Sequence, residues 1–207
     1  RDQCPKLTDL GILITRDQGN LAEATVYKTF ATFQALRRLT IHLRTRWYGL
    51  EREKGRMPPY RDRFDRHRLS NYGDLRRTLI DLATDENFAK TVFRLVSPSD
   101  RIHGLEELEL LNEHLPYTWG GRFRRHKMFH QICRSWDVQS KVEGDGSREL
   151  MIREIGNEFR ERKIVSEETP AWMMRVFRKV WPGSEDGTSD WRNDWHSFLQ
   201  LDGNITA

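Results

Sequence analysis

Three short segments of the chain share one pattern of apolar and polar positions. Each has an aliphatic residue, two polar or charged residues, a leucine, one further residue and another aliphatic residue, and the segments begin at Leu7, Leu36 and Leu105. Side chains alternate between the two faces of a strand, so the last two apolar positions of each segment point to the same face. The first apolar residue can reach the same core from the loop that approaches the strand. We therefore predict strands over 7–14, 36–43 and 105–110.

A leucine-rich repeat uses this arrangement to add one strand per repeat to a sheet. The first two motifs, at positions 7 and 36, start 29 residues apart, which is at the upper end of the repeat lengths of that class. The predicted fold class is α/β, an irregular leucine-rich-repeat-like solenoid of strand and helix layers. The Asn expected after the last aliphatic position is out of place, since Asn112 follows Leu110 after only one residue and the first two motifs carry Thr15 and Arg44. We expect irregular repeats and an imperfect curve.

Apolar residues at helical spacing predict helices between these strands. The first covers 21–33, the second begins near Gly73, and the third follows the N-terminal capping signal Thr84-Asp85-Glu86 and stops at Pro98. Their apolar faces are Ala22, Val26, Phe30 and Phe33; Leu75, Leu79 and Leu82; and Phe88, Val92, Phe93 and Val96. We expect the second and third helices to cover the same sheet.

The C-terminal half predicts a hairpin and a helical end. Strands over 131–138 and 149–155, joined by the turn-rich segment 144–147, would end the sheet. After Pro170 an amphipathic helix runs to Trp181-Pro182-Gly183, and a second helical face is formed by Trp191, Trp195, Phe198 and Leu199. The Trp-rich end is either a cap belonging to the core or an exposed patch that anchors a partner; we favour the cap, because exposed patches of that size are rare. We divide the chain into a repeat-like domain over 1–165 and a helical cap over 166–207.

The segment over about 44–72 interrupts the repeats with a basic, aromatic sequence. Arg and Lys are interleaved with Trp, Tyr and Phe there, a composition that can bind nucleic acid because Arg neutralises phosphates and aromatic rings stack on unpaired bases. Acidic residues are interspersed as well: Glu51, Glu53, Asp62 and Asp65. Charge of alternating sign is more typical of a solvated loop. We favour an exposed insertion and keep a nucleic-acid-binding module over 46–68 as the alternative.

Composition narrows the class of protein. The 35 Lys and Arg exceed the 31 Asp and Glu by only four charges, which is mild for a dedicated nucleic-acid binder. Cys4 and Cys133 lie far apart, unlike the paired cysteines of small secreted domains, so we predict a cytoplasmic or nuclear protein. No apolar run approaches the roughly 18 residues that span a bilayer. The first residue is Arg1 rather than Met, and we expect a piece of a longer polypeptide.

The sequence contains no nucleophile elbow, phosphate-binding Walker loop or dinucleotide-binding turn. His126 and His130 lie four residues apart with Cys133 one turn further on, a spacing that can hold zinc. Zinc would need further ligands, and the neighbouring Arg124, Arg125 and Lys127 would repel it, so we favour a solvated basic face. We predict no catalytic activity, no cofactor and no metal.

Taken in order, several segments resemble the leucine-rich region of filamentous-fungal F-box proteins. The similarity spans about 7–199, and the order of the motifs is more specific than any one of them. The segments are Leu7-Thr-Asp-Leu10-Gly-Ile-Leu, Phe33-Gln-Ala-Leu36-Arg-Arg-Leu39-Thr-Ile-His-Leu43, Ala83-Thr-Asp-Glu86-Asn-Phe-Ala-Lys-Thr-Val-Phe93, Gly104-Leu105-Glu-Glu-Leu108, Cys133-Arg-Ser-Trp136, Ile152-Arg-Glu154-Ile-Gly156, Trp181-Pro-Gly183 and Asp190-Trp-Arg-Asn-Asp-Trp195.

The resemblance implies a receptor that binds protein and catalyses nothing. In proteins of that kind the F-box binds the Skp adaptor of a cullin ubiquitin ligase, and the repeat region holds the protein to be ubiquitylated. An F-box is not visible in this sequence and would have to precede Arg1. The implied partners are an unidentified protein substrate and, through that F-box, the Skp adaptor and cullin.

The partner surface is predicted from the strand pattern. A solenoid usually binds through its concave face, so we expect the polar strand members Thr40, His42, Glu107 and Glu109 to line it. Three residues of the insertion are expected to lean in beside them: Arg46, Trp47 and Tyr48.

Overall fold

The computed structural model is described here over nine stretches of the chain. These are residues 6–16, 21–45, 75–98, 104–112, 127–142, 148–156, 169, 171–183 and 190–198. Over these ranges the chain is mixed α/β, with an open five-stranded sheet and helices, so the predicted α/β class is confirmed. The insertion after Thr45 lies outside the described residues.

The sheet is built from strands that lie side by side in chain order. They are β1 (Asp9–Arg16), β2 (Arg38–Thr45), β3 (Glu107–Asn112), β4 (Ser135–Val142) and β5 (Arg148–Ile155). The first three are parallel, and β3, β4 and β5 are antiparallel neighbours. The predicted hairpin therefore does follow the three motif strands. Its first strand begins at Ser135 rather than at 131, because 127–132 is helical.

The three leucine motifs stack in register. Leu10, Leu39 and Leu108 are direct partners across the sheet, and so are Ile12, Ile41 and Leu110 two residues on. Each strand begins two residues later than predicted, because the first leucine of each motif lies in the approach loop. Leu36 and Leu105 are nevertheless buried from that loop, as expected.

The approach loops repeat the same hydrogen bonds from one strand to the next. The carbonyl of Thr8 accepts from the amides of Arg37 and Arg38 at 2.8 and 3.0 Å, and the carbonyl of Arg37 accepts from those of Glu106 and Glu107 at 2.8 and 3.1 Å. The second and third motifs are thus placed on their predecessors in the same way, although very different lengths of chain separate them.

Two helices, α1 (Leu21–Phe30) and α3 (Glu86–Val96), pack with one face of the sheet in the main core. The predicted apolar face of α1 is confirmed in part, because Phe30 is buried and Phe33, after the helix, packs against the core. It is wrong for Ala22 and Val26, which are exposed, Val26 by 39%; the buried face holds Glu23, Ala24 and Tyr27 instead. Tyr27 meets Phe88 of α3 edge to face at 6.2 Å between ring centroids. This contact and the ion pair of Glu23 with Arg16 set the rotation of the helix.

The start of α3 agrees with the capping signal in the sequence. Asp85 is the N-cap, and its Oδ1 accepts from the amide of Phe88 at 2.7 Å. The helix ends at Val96, two residues before Pro98. Its buried residues then follow the predicted apolar face, with Ala89 and Leu95 in addition.

The remaining helices, α2 (Leu75–Leu82), α4 (Lys127–Ile132) and α5 (Ala171–Val180), form a second core. We call it the helical cluster; its buried residues are Leu75, Leu79, Leu82, Ala83, Met128, Phe129, Ile132, Met173, Val176, Phe177, Trp181 and Trp195. The expectation that α2 shields the sheet together with α3 is therefore wrong. The sheet face is already filled by α1 and α3, and the α2 leucines pack against α4 and α5 instead.

The Trp-rich end belongs to this helical cluster. Trp181 and Trp195 are 1% and 9% exposed, which confirms that these rings are core rather than a free patch. The predicted second helical face is wrong, because 190–198 consists of turns and chain without regular secondary structure. Asp85 holds that segment by accepting from the amide and hydroxyl of Ser197 at 3.1 and 2.8 Å. Whether the chain divides into domains near residue 165 stays a prediction.

A buried threonine joins the sheet to the helical cluster. The Thr84 hydroxyl accepts from Asn112 Nδ2 at 2.7 Å and from the Arg134 amide at 2.9 Å. Asn112 Nδ2 also lies 2.6 Å from the Arg134 carbonyl, so this displaced asparagine does bond the turning backbone. The indole of Trp136 donates to the Thr84 carbonyl at 2.8 Å. None of the helices in the described ranges is long and apolar enough to cross a membrane.

Candidate functional site

One face of the sheet is covered by α1 and α3, and no described helix covers the other. We call this second surface the open face. It includes the following strand residues, which alternate with the core positions: Asp9, Gly11 and Leu13; Arg38, Thr40 and His42; Glu107, Glu109 and Leu111; Asp137 and Gln139; Met151 and Arg153. Leu13 and Met151 are 44% and 49% exposed there, so the open face offers apolar as well as polar groups.

An ion pair lies in the first row of the open face. Direct partners across the sheet bring Asp9, Arg38 and Glu107 together. Arg38 Nε donates to Asp9 Oδ1, and the Thr8 hydroxyl donates to Asp9 Oδ2 at 2.7 Å. These hydrogen bonds hold the pKa of Asp9 below its usual value, and the bond to Asp9 raises the pKa of Arg38.

The second row carries two further carboxylates. Thr40 donates its hydroxyl to Glu109 Oε2 at 3.0 Å. Asp137 lies directly opposite Glu109, and its Oδ2 accepts from Arg153 Nη2 at 2.9 Å and from Gln139 Nε2 at 3.2 Å. Asp137 is only 5% exposed, and its Oδ1 has no hydrogen-bond partner among the described residues.

A depression of about 340 Å³ lies across β1, β2 and β3 at these rows. Gly11 occupies the position that Thr40 and Glu109 occupy on the next two strands, and a Cβ at Gly11 would meet no atom within 4 Å. The missing side chain therefore leaves open space, with Glu107 and Glu109 among the residues that line it.

The structure brings four of the predicted site residues together, and their role in binding a partner stays a prediction. Thr40, His42, Glu107 and Glu109 lie together on adjacent strands of the open face. Arg46, Trp47 and Tyr48 lie outside the described residues, as does the proposed nucleic-acid segment 46–68.

The members of the face that the sequence prediction did not include are, among others, Asp9, Gly11, Arg38, Asp137 and Arg153. Alignment of the three leucine motifs would have found the first three, because they hold the same motif positions as Glu107 and Glu109. The last two come from the hairpin. Period-two alternation around Trp136 and Ile152 is the signal that would have pointed to them.

A second polar group, at the end of β1, is buried rather than exposed. Arg16 is fully buried, and its Nε donates to Glu23 Oε1 at 3.1 Å while Tyr27 donates its hydroxyl to the same oxygen at 2.9 Å. Burial alone would lower the pKa of Arg16, but the charge of Glu23 and smaller effects of Tyr27 and Asp81 raise it above its usual value. Burial and the Glu23 charge raise the pKa of Tyr27. This group joins structural elements and has no opening to solvent among the described residues.

The predicted metal spacing can be followed only in part. His130 lies in α4 and Cys133 just after it, whereas His126 is outside the described residues. Within the described ranges, no three His, Cys, Asp or Glu side chains come close enough together to bind a metal ion.

Comparison of the chain with protein-family models, with curated proteins and with solved structures gave no match.

Proposed function

We propose that the chain is a non-enzymatic protein-binding domain that holds its partner on the open face. The observation that carries the proposal is the set of Thr40, His42, Glu107 and Glu109 on adjacent strands, with no described helix over them. Polar side chains spread over a rigid sheet, beside the exposed Leu13, give a surface with both hydrogen-bonding and apolar contacts. Protein interfaces combine these two kinds of contact.

We propose further that this domain is the substrate-recognition part of an F-box receptor, with the F-box preceding Arg1. Support comes from the three motif strands, which pair in parallel and repeat the same hydrogen bonds in their approach loops. An irregular leucine-rich-repeat solenoid would be built from such units. The Skp adaptor and a cullin are then the partners of the upstream F-box, in the cytoplasm or nucleus, and the open face binds the substrate.

The first test is affinity purification of the complete natural polypeptide from its own cells, scored for the Skp adaptor, the cullin and additional proteins. Recovery of adaptor and cullin is the expected result. Their absence, with the protein folded, would overturn the F-box part of the proposal.

A matched pair of variants tests the open face. Thr40→Arg places a long charged side chain in the middle of the face, whereas Thr25→Arg places the same side chain on the exposed side of α1. We expect Thr40→Arg to lose the additional protein and to keep the adaptor, and Thr25→Arg to keep both. Equal recovery of the additional protein with the two variants would exclude the open face as the binding surface.

A further inference from the structure

We infer that the open face selects an extended partner segment that carries a basic residue two positions away from an apolar one. The basic side chain, preferably arginine, enters the depression at Gly11, and the apolar side chain lies beside Leu13. The inference rests on the proposed function, since it names the partner chemistry of the same surface.

Charge complementarity is the first argument. In the first two rows of the open face, four carboxylates face two guanidinium groups, and each guanidinium already has its own carboxylate: Arg38 with Asp9 and Arg153 with Asp137. Among the described residues, no cation forms an ion pair with Glu107 or Glu109. The rows are therefore locally acidic on a chain whose net charge is +4. A basic side chain would supply the missing counter-charge.

The positions of Glu107 and Glu109 favour arginine over other basic residues. These two residues alternate on β3, and both line the depression beside Gly11. The planar guanidinium of arginine has several N–H donors and can bond two carboxylate oxygens at once.

Shape gives the spacing of the two partner residues. The space at Gly11 is in the second row, and Leu13, His42 and Leu111 form the third row two residues further along the strands. Two residues of strand cover about 7 Å, which is also the distance between alternate side chains of an extended peptide. A segment that runs along the strands therefore brings side chains i and i+2 to the two rows.

The test is selection of linear peptides displayed on phage against the purified chain, followed by fluorescence anisotropy with the selected peptides. We expect enrichment of Arg or Lys two positions from an apolar residue and affinity that falls as salt is added. The variant pair Glu107→Gln and Glu109→Gln should each weaken binding by about tenfold, the loss expected for a charged hydrogen bond. Glu86→Gln removes an exposed carboxylate from the start of α3 and should leave affinity unchanged.

The outcomes separate this inference from the proposed function. Two results would overturn the basic-segment inference and leave the open face as a binding surface. In the first, the selected peptides no longer bind Thr40→Arg but have no basic residue in common. In the second, their affinity is unchanged by Glu107→Gln and by Glu109→Gln. Peptides that still bind Thr40→Arg would contradict both. Failure to select any peptide would overturn the inference as well, while the capture experiment in cells still decides the proposed function.

Discussion

Arg16 offers a direct test of how the sheet is joined to the helices. Its guanidinium is fully buried at the end of β1, with Nε 3.1 Å from Glu23 Oε1 and Nη1 2.7 Å from the Asp81 carbonyl and 3.2 Å from the Ala83 carbonyl. It also lies 4.3 Å from the centre of the Phe88 ring. One side chain of the sheet thus contacts α1, the end of α2 and α3.

Replacement of Arg16 by methionine keeps much of the side-chain volume and removes the charge. The Glu23 carboxylate, in a residue that is 6% exposed, then stays buried without the Arg16 cation. Breaking a buried ion pair from one side costs about 3–5 kcal/mol. Domains have a free energy of unfolding of about 5–15 kcal/mol, so we expect Arg16→Met to lose a large part of it in urea titrations followed by circular dichroism.

The double variant Arg16→Met with Glu23→Gln separates charge from packing. Because the second change removes the stranded carboxylate, the double variant should lose less free energy than the two single losses added together. Arg37→Met is the control, since its ion pair with Glu106 is exposed and should cost at most about 1 kcal/mol. If Arg16→Met loses no more free energy of unfolding than this control, or if the losses of the two single variants add up to that of the double variant, the buried ion pair does not hold the sheet and helices together.

Three further predictions concern the core and its polar contacts. Thr84→Val keeps the shape but leaves the Arg134 amide without its acceptor, so urea titration should show a loss of about 1–3 kcal/mol; an unchanged midpoint would contradict this. Leu108→Asp should unfold the domain because Leu108 is 0% exposed and the change buries a charge. Glu107→Lys on the open face should leave the thermal melting temperature nearly unchanged, and equal effects of the two variants on melting would refute the strand register. Above pH 10, Tyr27 keeps its proton in the folded state while the unfolded chain loses it, so the free energy of unfolding should fall as pH rises there. The fall should be less steep in Tyr27→Phe, and identical slopes of free energy against pH in the two proteins would exclude this cause.

Much of the sheet and of the candidate site could be predicted from the sequence. The alternation of apolar positions that starts at Leu10 and Ile12, and again at Leu39 and at Leu108, depends only on the two-residue period of a strand. The shared motif indicates which positions of the three strands are equivalent. The same alternation assigned Thr40, His42, Glu107 and Glu109 to one face. The start of α3 near Thr84-Asp85-Glu86 was predicted for a similar reason, because capping depends on a few neighbouring residues.

The partners that come from distant chain segments needed the tertiary structure. Local alternation can assign Asp137 and Arg153 to one face of the hairpin, but only the pairing of the hairpin beside β3 brings them to the candidate site. The acidic balance of the rows could not be read from the composition, since the whole chain is net basic.

Helix faces were decided by packing rather than by periodicity. In α1, the polar Glu23 is buried because Arg16 of β1 supplies its counter-charge, while the apolar Val26 stays 39% exposed. The spacing of Trp191 and Trp195 suited a helix, but the bonds of Ser197 to Asp85 hold the segment in another conformation. The sequence alone therefore determined the strands and their two faces, which follow from local alternation. Only the tertiary structure decided the buried ion pair, the helix rotations and the charge balance of the open face, because each depends on contacts between residues far apart in the chain.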